Sequence, residues 1–159
     1  MKMKLLLSCL LLMTSAVLQA QKLYELPELK ISFYASDDLD PYTYPDEPLF
    51  AGFDNDVLAV EIERLPWSTD PDVYDLGVKA SAKQQTLDMG FVDLKEGKGL
   101  PFIPNSFYYS AIDDSESAPV LVFTAFGPDK DYVYEVQIYC YEVDLQVGLY
   151  IPNSFKLVE

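Results

Sequence analysis

The segments Val120–Phe126 and Tyr132–Val143 constrain the fold of this chain more than any other part of its sequence. The first is almost entirely apolar, which is typical of a central strand buried on both faces. The second alternates between two faces, one carrying residues such as Tyr134 and the other residues such as Glu135. Residues 127–131 include Gly and Pro and predict a turn between them. The two segments are therefore predicted to form adjacent strands of an antiparallel sheet.

One main helix is predicted at about residues 70–89. Asp70 is a suitable N-cap, Pro71 suits the first helical position, and Gly90 is a suitable stop. The spacing of apolar residues between them is helical. This interpretation places Gly77 in the helix interior, where glycine costs about 1 kcal/mol.

These elements predict an α+β fold, an antiparallel sheet with the main helix packed on one face. Residues 145–158 predict a helical turn followed by a strand, and thus a short helix near the C terminus. The length of the segment 21–159 is that of one domain and predicts a single domain there, while the half-hydrophobic composition argues against disorder. Residues 36–50 are rich in Pro, Asp and Tyr and predict a long ordered loop or an extended arm. Other strands are predicted at Ile31–Ala35, Leu58–Leu65, Phe91–Leu94 and Phe107–Ile112.

Residues 1–20 have the pattern of a secretory signal peptide, with lysines before an apolar run and a small-residue end. Cleavage after Ala20 fits this pattern, and cleavage after Ala16 also fits it. The apolar run is too short for a comfortable membrane span, so no stable membrane insertion is expected after cleavage. Cleavage would leave Cys140 as the single cysteine, and the sequence has no Asn-x-Ser/Thr sequon. Both observations favour a bacterial protein exported to the periplasm, the cell envelope or the medium.

The formal net charge is −15, and removal of residues 1–20 with their two lysines would make it −17. Such a charge disfavours binding to nucleic acid or to anionic lipid headgroups. It suits a basic protein as partner, and it also serves solubility without any partner. A glycan is the other partner class that we consider, because of the aromatic residues described below.

The absence of histidine removes Ser-His-Asp and Cys-His nucleophiles and His-based zinc sites. Cys140 lies on the apolar face of its predicted strand and is interpreted as a core residue. A two-carboxylate hydrolase needs a pair of Asp or Glu residues, but with 26 acidic residues such a pair carries no specific signal. The sequence therefore predicts a protein that is not an enzyme and that has no cofactor.

Four aromatic residues are the candidate ligand-binding residues: Tyr42, Tyr44, Phe50 and Trp67. Exposed rings beside acidic residues can stack on a sugar or hold a cation. A sugar platform requires the four rings to be exposed and roughly coplanar. The alternative is that they are half-buried packing residues with their polar ends in water.

Four aspartates are the candidate calcium ligands: Asp54, Asp56, Asp113 and Asp114. Calcium prefers hard oxygen ligands, and these residues lie in short acidic clusters. None of the clusters has the spacing of a known calcium-binding loop. The alternative is that these residues cap turns and remain solvated.

The pentapeptide Ile-Pro-Asn-Ser-Phe occurs twice, at 103–107 and at 151–155. One interpretation is two similar turns that lead into strands, with Pro and Asn serving the turns. The other is two related edges that form a surface for a ligand or a partner. The sequence does not distinguish between them.

The order of elements resembles that of the PsbP/DcrB-like superfamily of small exported α+β domains. The resemblance lies in a helix after Glu63-Arg-Leu-Pro66, a meander rich in Tyr and Val, and the closing Ser154-Phe155-Lys156. It implies an accessory or binding role without catalysis. The function predicted is thus an exported binding or accessory domain with a basic or neutral partner. The alternatives are a carbohydrate or cell-surface recognition module, and a periplasmic inhibitor or immunity-type protein whose acidic face masks a basic enzyme site.

Overall fold

The structure is a computed structural model that describes residues 21–36, 38–47, 49–67, 76–128, 130–143 and 145–158. The predicted signal peptide, residues 1–20, lies outside the described residues. So do Asp70 and Pro71, on which the predicted helix start rests. Within the described part of the chain, no helix has the length and apolar character needed to cross a membrane.

The described residues form ten strands and three helices. The strands are β1 (Gln21–Leu26), β2 (Ile31–Ser36), β3 (Asp40–Tyr42), β4 (Phe50–Asp54), β5 (Leu58–Pro66), β6 (Val92–Glu96), β7 (Ser106–Asp113), β8 (Ala118–Phe126), β9 (Tyr132–Cys140) and β10 (Lys156–Leu157). The helices are α1 (Val78–Asp88), α2 (Leu145–Gly148) and α3 (Tyr150–Ser154).

The strands form two antiparallel sheets. The larger has seven strands in the order β3-β4-β5-β9-β8-β7-β6, and the smaller has three in the order β1-β2-β10. Strands β8 and β9 pair over most of their length, with Val120 opposite Tyr139 and Phe126 opposite Val133. The predicted central strand is confirmed, because all but one residue of β8 is buried. The pairing of β5 with β9 joins distant parts of the chain and sets Leu58 opposite Cys140.

The main core lies between the inner face of the large sheet and the small sheet. Because side chains alternate along a strand, one face of β5 and β9 delivers residues such as Val60 and Val136 to this core. Strand β2 delivers Phe33 from the small sheet. The Phe33 ring stacks on Phe155 with centroids 4.7 Å apart, which packs the C-terminal segment into the core. Burial of these apolar surfaces supplies the main stabilisation of the fold.

The predicted α+β class is wrong. Half of the described residues are in strands and 15% are in helices, and two antiparallel sheets make this a mostly β fold. Residues 21–30, which had no predicted strand, begin with β1, and β4 was also missed. The arm at 36–50 contributes β3, an edge strand that tolerates Pro41 because one side of an edge strand needs no hydrogen-bonding partner.

Helix α1 begins at Val78 and ends at Asp88, and the predicted start at Asp70 and Pro71 lies outside the described residues. Gly77 is its N-cap and not an interior residue, and its φ of 91° lies in the region that favours glycine. The predicted stop at Gly90 agrees with the helix end at Asp88. Helix α1 contacts β7 and β8 on the outer face of the large sheet, while α2 and α3 precede β10 at the C terminus.

Candidate functional site

Helix α1 packs mainly on β7 and β8 and reaches only one end of β5 and β9, where Val78 lies in a cluster with Leu65 and Val133. The rest of the outer face of β3, β4, β5 and β9 has no extensive contact with a described helix or with the small sheet. Strand alternation decides which side chains this face carries. Val60 and Ile62 of β5 point into the main core, so Glu61 and Glu63 point outward. We call the resulting surface the tyrosine–glutamate face and define it by Tyr42, Tyr44, Phe50, Glu61, Glu63, Glu135, Tyr139 and Tyr141.

Tyr42 and Glu61 form the centre of this face. The Tyr42 hydroxyl donates a hydrogen bond of 2.7 Å to Glu61 Oε1. The Tyr42 ring lies directly over Gly52, where a Cβ atom would collide with it. Partial burial, followed by the Glu61 carboxylate, raises the pKa of the Tyr42 hydroxyl. Gly52 thus allows an aromatic ring to lie flat across the sheet beside a carboxylate.

Tyr44 and Phe50 extend the aromatic part of the face. Their ring centroids lie 4.7 Å apart, and that of Tyr42 lies 6.0 Å from Tyr44 and 5.9 Å from Phe50. The rings are inclined to one another by 42–74°. Trp67 does not join them, because it packs edge-on against Phe126 at 4.7 Å in a separate cluster. Three of the four predicted aromatic residues therefore come together, but not as a flat platform.

Glu63 and Glu135 are opposite each other on neighbouring strands. Partial burial first, and then the charges of Glu135 and Glu47, raise the pKa of the Glu63 carboxyl. The amide of Gln85 on helix α1 donates to Glu135 Oε2 at 3.3 Å, so Glu135 lies where the helix ends its cover of the sheet. Like charges in directly opposed positions destabilise a sheet. A cation bound here would relieve that repulsion.

Tyr139 and Tyr141 extend the face toward the end of β9. Carboxylates near both side chains make the electrostatic potential there negative. Burial, followed by the charge of Glu61, raises the pKa of Tyr139, and burial with Glu116 and Glu61 raises the pKa of Tyr141. The two rings stack with centroids 6.2 Å apart. Tyr141 is 40% exposed, so part of its side chain is open to solvent.

The predicted calcium ligands do not form a metal cluster. Among residues 21–158, apart from the few that the structure does not describe, no group of three or more acidic or cysteine side chains is placed to hold a metal ion. Asp113 Oδ1 instead accepts hydrogen bonds from the Ser115 amide at 3.0 Å and hydroxyl at 2.6 Å, which closes a turn. Asp54 is exposed at the end of β4, and Asp56 and Asp114 are exposed in turns. A calcium site stays a prediction from the sequence, and no contact between these four aspartates supports it in the described part of the chain.

Sequence reasoning missed Glu61, Glu63, Glu135, Tyr139 and Tyr141 as site residues. A signal was present, since each lies on the polar face of a predicted alternating strand. The pairing of β5 with β9, which makes one surface of them, has no local signature in the sequence. Cys140 is 1% exposed, in agreement with its interpretation as a core residue.

Comparison with known proteins adds no function. No protein-family model matches the sequence, and no curated protein is similar to it. The resemblance to the PsbP/DcrB-like superfamily therefore stays a prediction.

Proposed function

We propose that this protein is an exported binding domain, without catalytic activity, that holds a positively charged partner on the tyrosine–glutamate face. The observation that carries the proposal is the interleaving of aromatic rings and carboxylates on a sheet surface that helix α1 leaves uncovered. Ring faces attract ammonium and guanidinium groups, and carboxylates form charge-assisted hydrogen bonds with them. A lysine or arginine side chain satisfies both preferences at once.

The charge of the whole chain supports the same partner class. A net charge of −15 draws cations toward the molecule and speeds their association. On the face itself, Tyr42 with Glu61 offers a ring next to a carboxylate, and Glu63 with Glu135 offers paired negative charge. A basic segment of a protein, with several lysine or arginine residues in an extended strand, suits this arrangement. An inhibitor that masks a basic enzyme site is one form that such a binding domain takes.

The test is calorimetric titration with an arginine-glycine peptide, with a glutamate-glycine peptide as ligand control. The double variant Glu61→Gln/Glu63→Gln removes two charges from the face. We expect it to weaken binding of the basic peptide about tenfold, since each charged contact contributes on the order of 1 kcal/mol.

The matched control is Glu25→Gln/Glu28→Gln, which removes the same charge from exposed positions on and next to β1. We expect it to change affinity less than about twofold, because distant exposed charges are screened by salt. Equal losses in the two variants would show that only net charge attracts the peptide. That result, or no binding of the basic peptide, would contradict the proposed function.

A further inference from the structure

The two copies of Ile-Pro-Asn-Ser-Phe share a buried isoleucine and one serine hydrogen bond, although the first copy leads into β7 and the second lies in α3. Ile103 and Ile151 are both buried in the main core. The serine three residues later donates its hydroxyl to the isoleucine carbonyl, at 2.6 Å from Ser106 and at 2.7 Å from Ser154. Each copy thus anchors its isoleucine inward and closes a turn with its serine. The residue before each isoleucine is then turned outward.

That outward residue is aromatic in both copies. Phe102 is 56% exposed and Tyr150 is 46% exposed, and both line one groove of about 280 Å³. Tyr34 of strand β2, 37% exposed, lines the same groove. Single exposed apolar residues are ordinary, but three aromatic rings from distant parts of the chain that share one groove indicate a binding surface.

The polar lining of this aromatic groove has the opposite charge to the rest of the protein. Among the described residues it consists of Asn153, Ser154 and Lys156, which include one cation and no acidic side chain. Lys156 Nζ lies 4.9 Å from the centre of the Phe102 ring, which holds the ammonium group at the groove. The Ser154 hydroxyl accepts from the Tyr34 amide at 2.9 Å, which fixes the C-terminal copy of the repeat to strand β2.

We infer that the aromatic groove binds a carboxylated sugar unit of an acidic polysaccharide. Aromatic rings pack against the apolar face of a pyranose, the Asn153 amide can both donate to and accept from sugar hydroxyls, and Lys156 pairs with the carboxylate. The volume is close to the lower end of the range for small-molecule sites, about 300 Å³, and suits one sugar ring. Charge complementarity selects an acidic sugar, because the lining charge is positive on an otherwise acidic chain.

The site is separate from the tyrosine–glutamate face and shares no residue with it, so each can fail without the other. Trigalacturonate is the probe, its methyl ester is the uncharged ligand control, and binding is followed by calorimetry or NMR. The salt concentration is about 0.15 M, where the Debye length is about 8 Å and long-range repulsion from the acidic protein is screened.

We expect trigalacturonate to bind at least tenfold more tightly than its methyl ester. Lys156→Ala removes that preference, and Tyr150→Ala weakens both ligands at least fivefold. Lys83→Ala is the matched control, since it removes the same charge from an exposed position on helix α1. We expect it to bind like the unaltered protein.

Three results would overturn the inference: no binding of trigalacturonate, equal binding of the acid and the ester, or binding unchanged in Lys156→Ala and Tyr150→Ala. Binding of an aromatic peptide in place of the sugar, lost in Tyr150→Ala, would assign the groove to a protein partner and would also overturn it. Circular dichroism of each variant separates loss of binding from loss of fold.

Discussion

Glu63 shows how a single side chain links the proposed binding face to the stability of the fold. It lies half-buried, directly across from Glu135, and its pKa is raised. An acid whose pKa is higher in the folded than in the unfolded state contributes stability at low pH. That contribution is lost as the pH rises from the ordinary range of a glutamate through the raised folded value. At neutral pH, the ionised Glu63 carboxylate therefore lowers the free energy of unfolding of the protein.

We expect Glu63→Gln to raise the free energy of unfolding at pH 7 by about 0.5 kcal/mol, because it removes repulsion between opposed charges. At about pH 4 the gain should be much smaller, since a carboxyl whose pKa lies above its ordinary value carries its charge only in part at that pH. Urea denaturation at the two pH values measures the difference. Glu25→Gln, at an exposed position of β1 opposite the neutral Ser32, is the control and should leave the free energy of unfolding at pH 7 unchanged. A gain of equal size at both pH values would contradict this assignment.

At the scale of elements, helix α1 is fixed to the large sheet by a buried polar contact. The Thr124 hydroxyl of β8 donates to Gln85 Oε1 at 2.9 Å, and Gln85 is buried at the helix–sheet contact. The helix face that meets the sheet also carries the buried Ser81 and Thr86, whose hydroxyls donate to backbone carbonyls four residues earlier. The helix thus docks through hydrogen-bonded polar groups as much as through apolar burial. Its edge at Gln85 marks where the tyrosine–glutamate face begins.

We expect Gln85→Ala to lower the free energy of unfolding by about 1–2 kcal/mol, because it leaves the buried Thr124 hydroxyl without its acceptor. Gln84→Ala is the matched control. Gln84 is on the same helix but bonds to Asp88 at an exposed position, so its loss should stay within about 0.5 kcal/mol. Urea denaturation followed by circular dichroism measures both. Similar losses for the two variants would show that the contact with Thr124 does not fix the helix.

Some strands of the large sheet could be predicted from the sequence pattern, and others could not. Strands β5, β7, β8 and β9 were predicted close to their observed bounds, because alternation and short turns are local features. Strand β4 was missed because Phe50–Asp54 combines a glycine with two aromatic residues and lacks clear alternation. Gly77 was predicted to lie inside the helix because the apolar spacing continues across it, whereas it caps α1 with a positive φ.

At the scale of the whole molecule, the 26 acidic residues outnumber the 11 basic residues, and their mutual repulsion lowers the stability of the folded state. The described part of the chain contains an ion pair between Lys79 and Glu96, at 2.5 Å and largely exposed, which contributes little. Repulsion between the remaining carboxylates favours expanded states. Two stacked sheets with a continuous aromatic and aliphatic core offset that repulsion.

We therefore expect sodium chloride to stabilise the protein. Raising its concentration from about 0.02 M to about 0.3 M should increase the free energy of unfolding at pH 7 on the order of 1 kcal/mol, because screening weakens the repulsion. Urea denaturation at each salt concentration measures the change. Near pH 4 the effect should be much smaller, since the net charge approaches zero close to the sequence pI of about 4.1. A loss of stability with salt at pH 7 would contradict a dominant repulsion.

The sequence by itself determined the acidic charge, the absence of histidine chemistry, and the strand pair Val120–Phe126 and Tyr132–Val143, because composition, alternation and short turns are local properties. One neighbour of β9, strand β8, was predicted from the sequence. Only the tertiary structure decided that β5 is the other neighbour, since this pairing spans about half of the described chain. That pairing brings Glu61 and Glu63 to one face with Glu135 and Tyr139. The same holds for the aromatic groove, where the repeat was visible in sequence but its shared surface arose from packing. Alternation tells which face a side chain is on, but its neighbours on that face depend on contacts that close long loops.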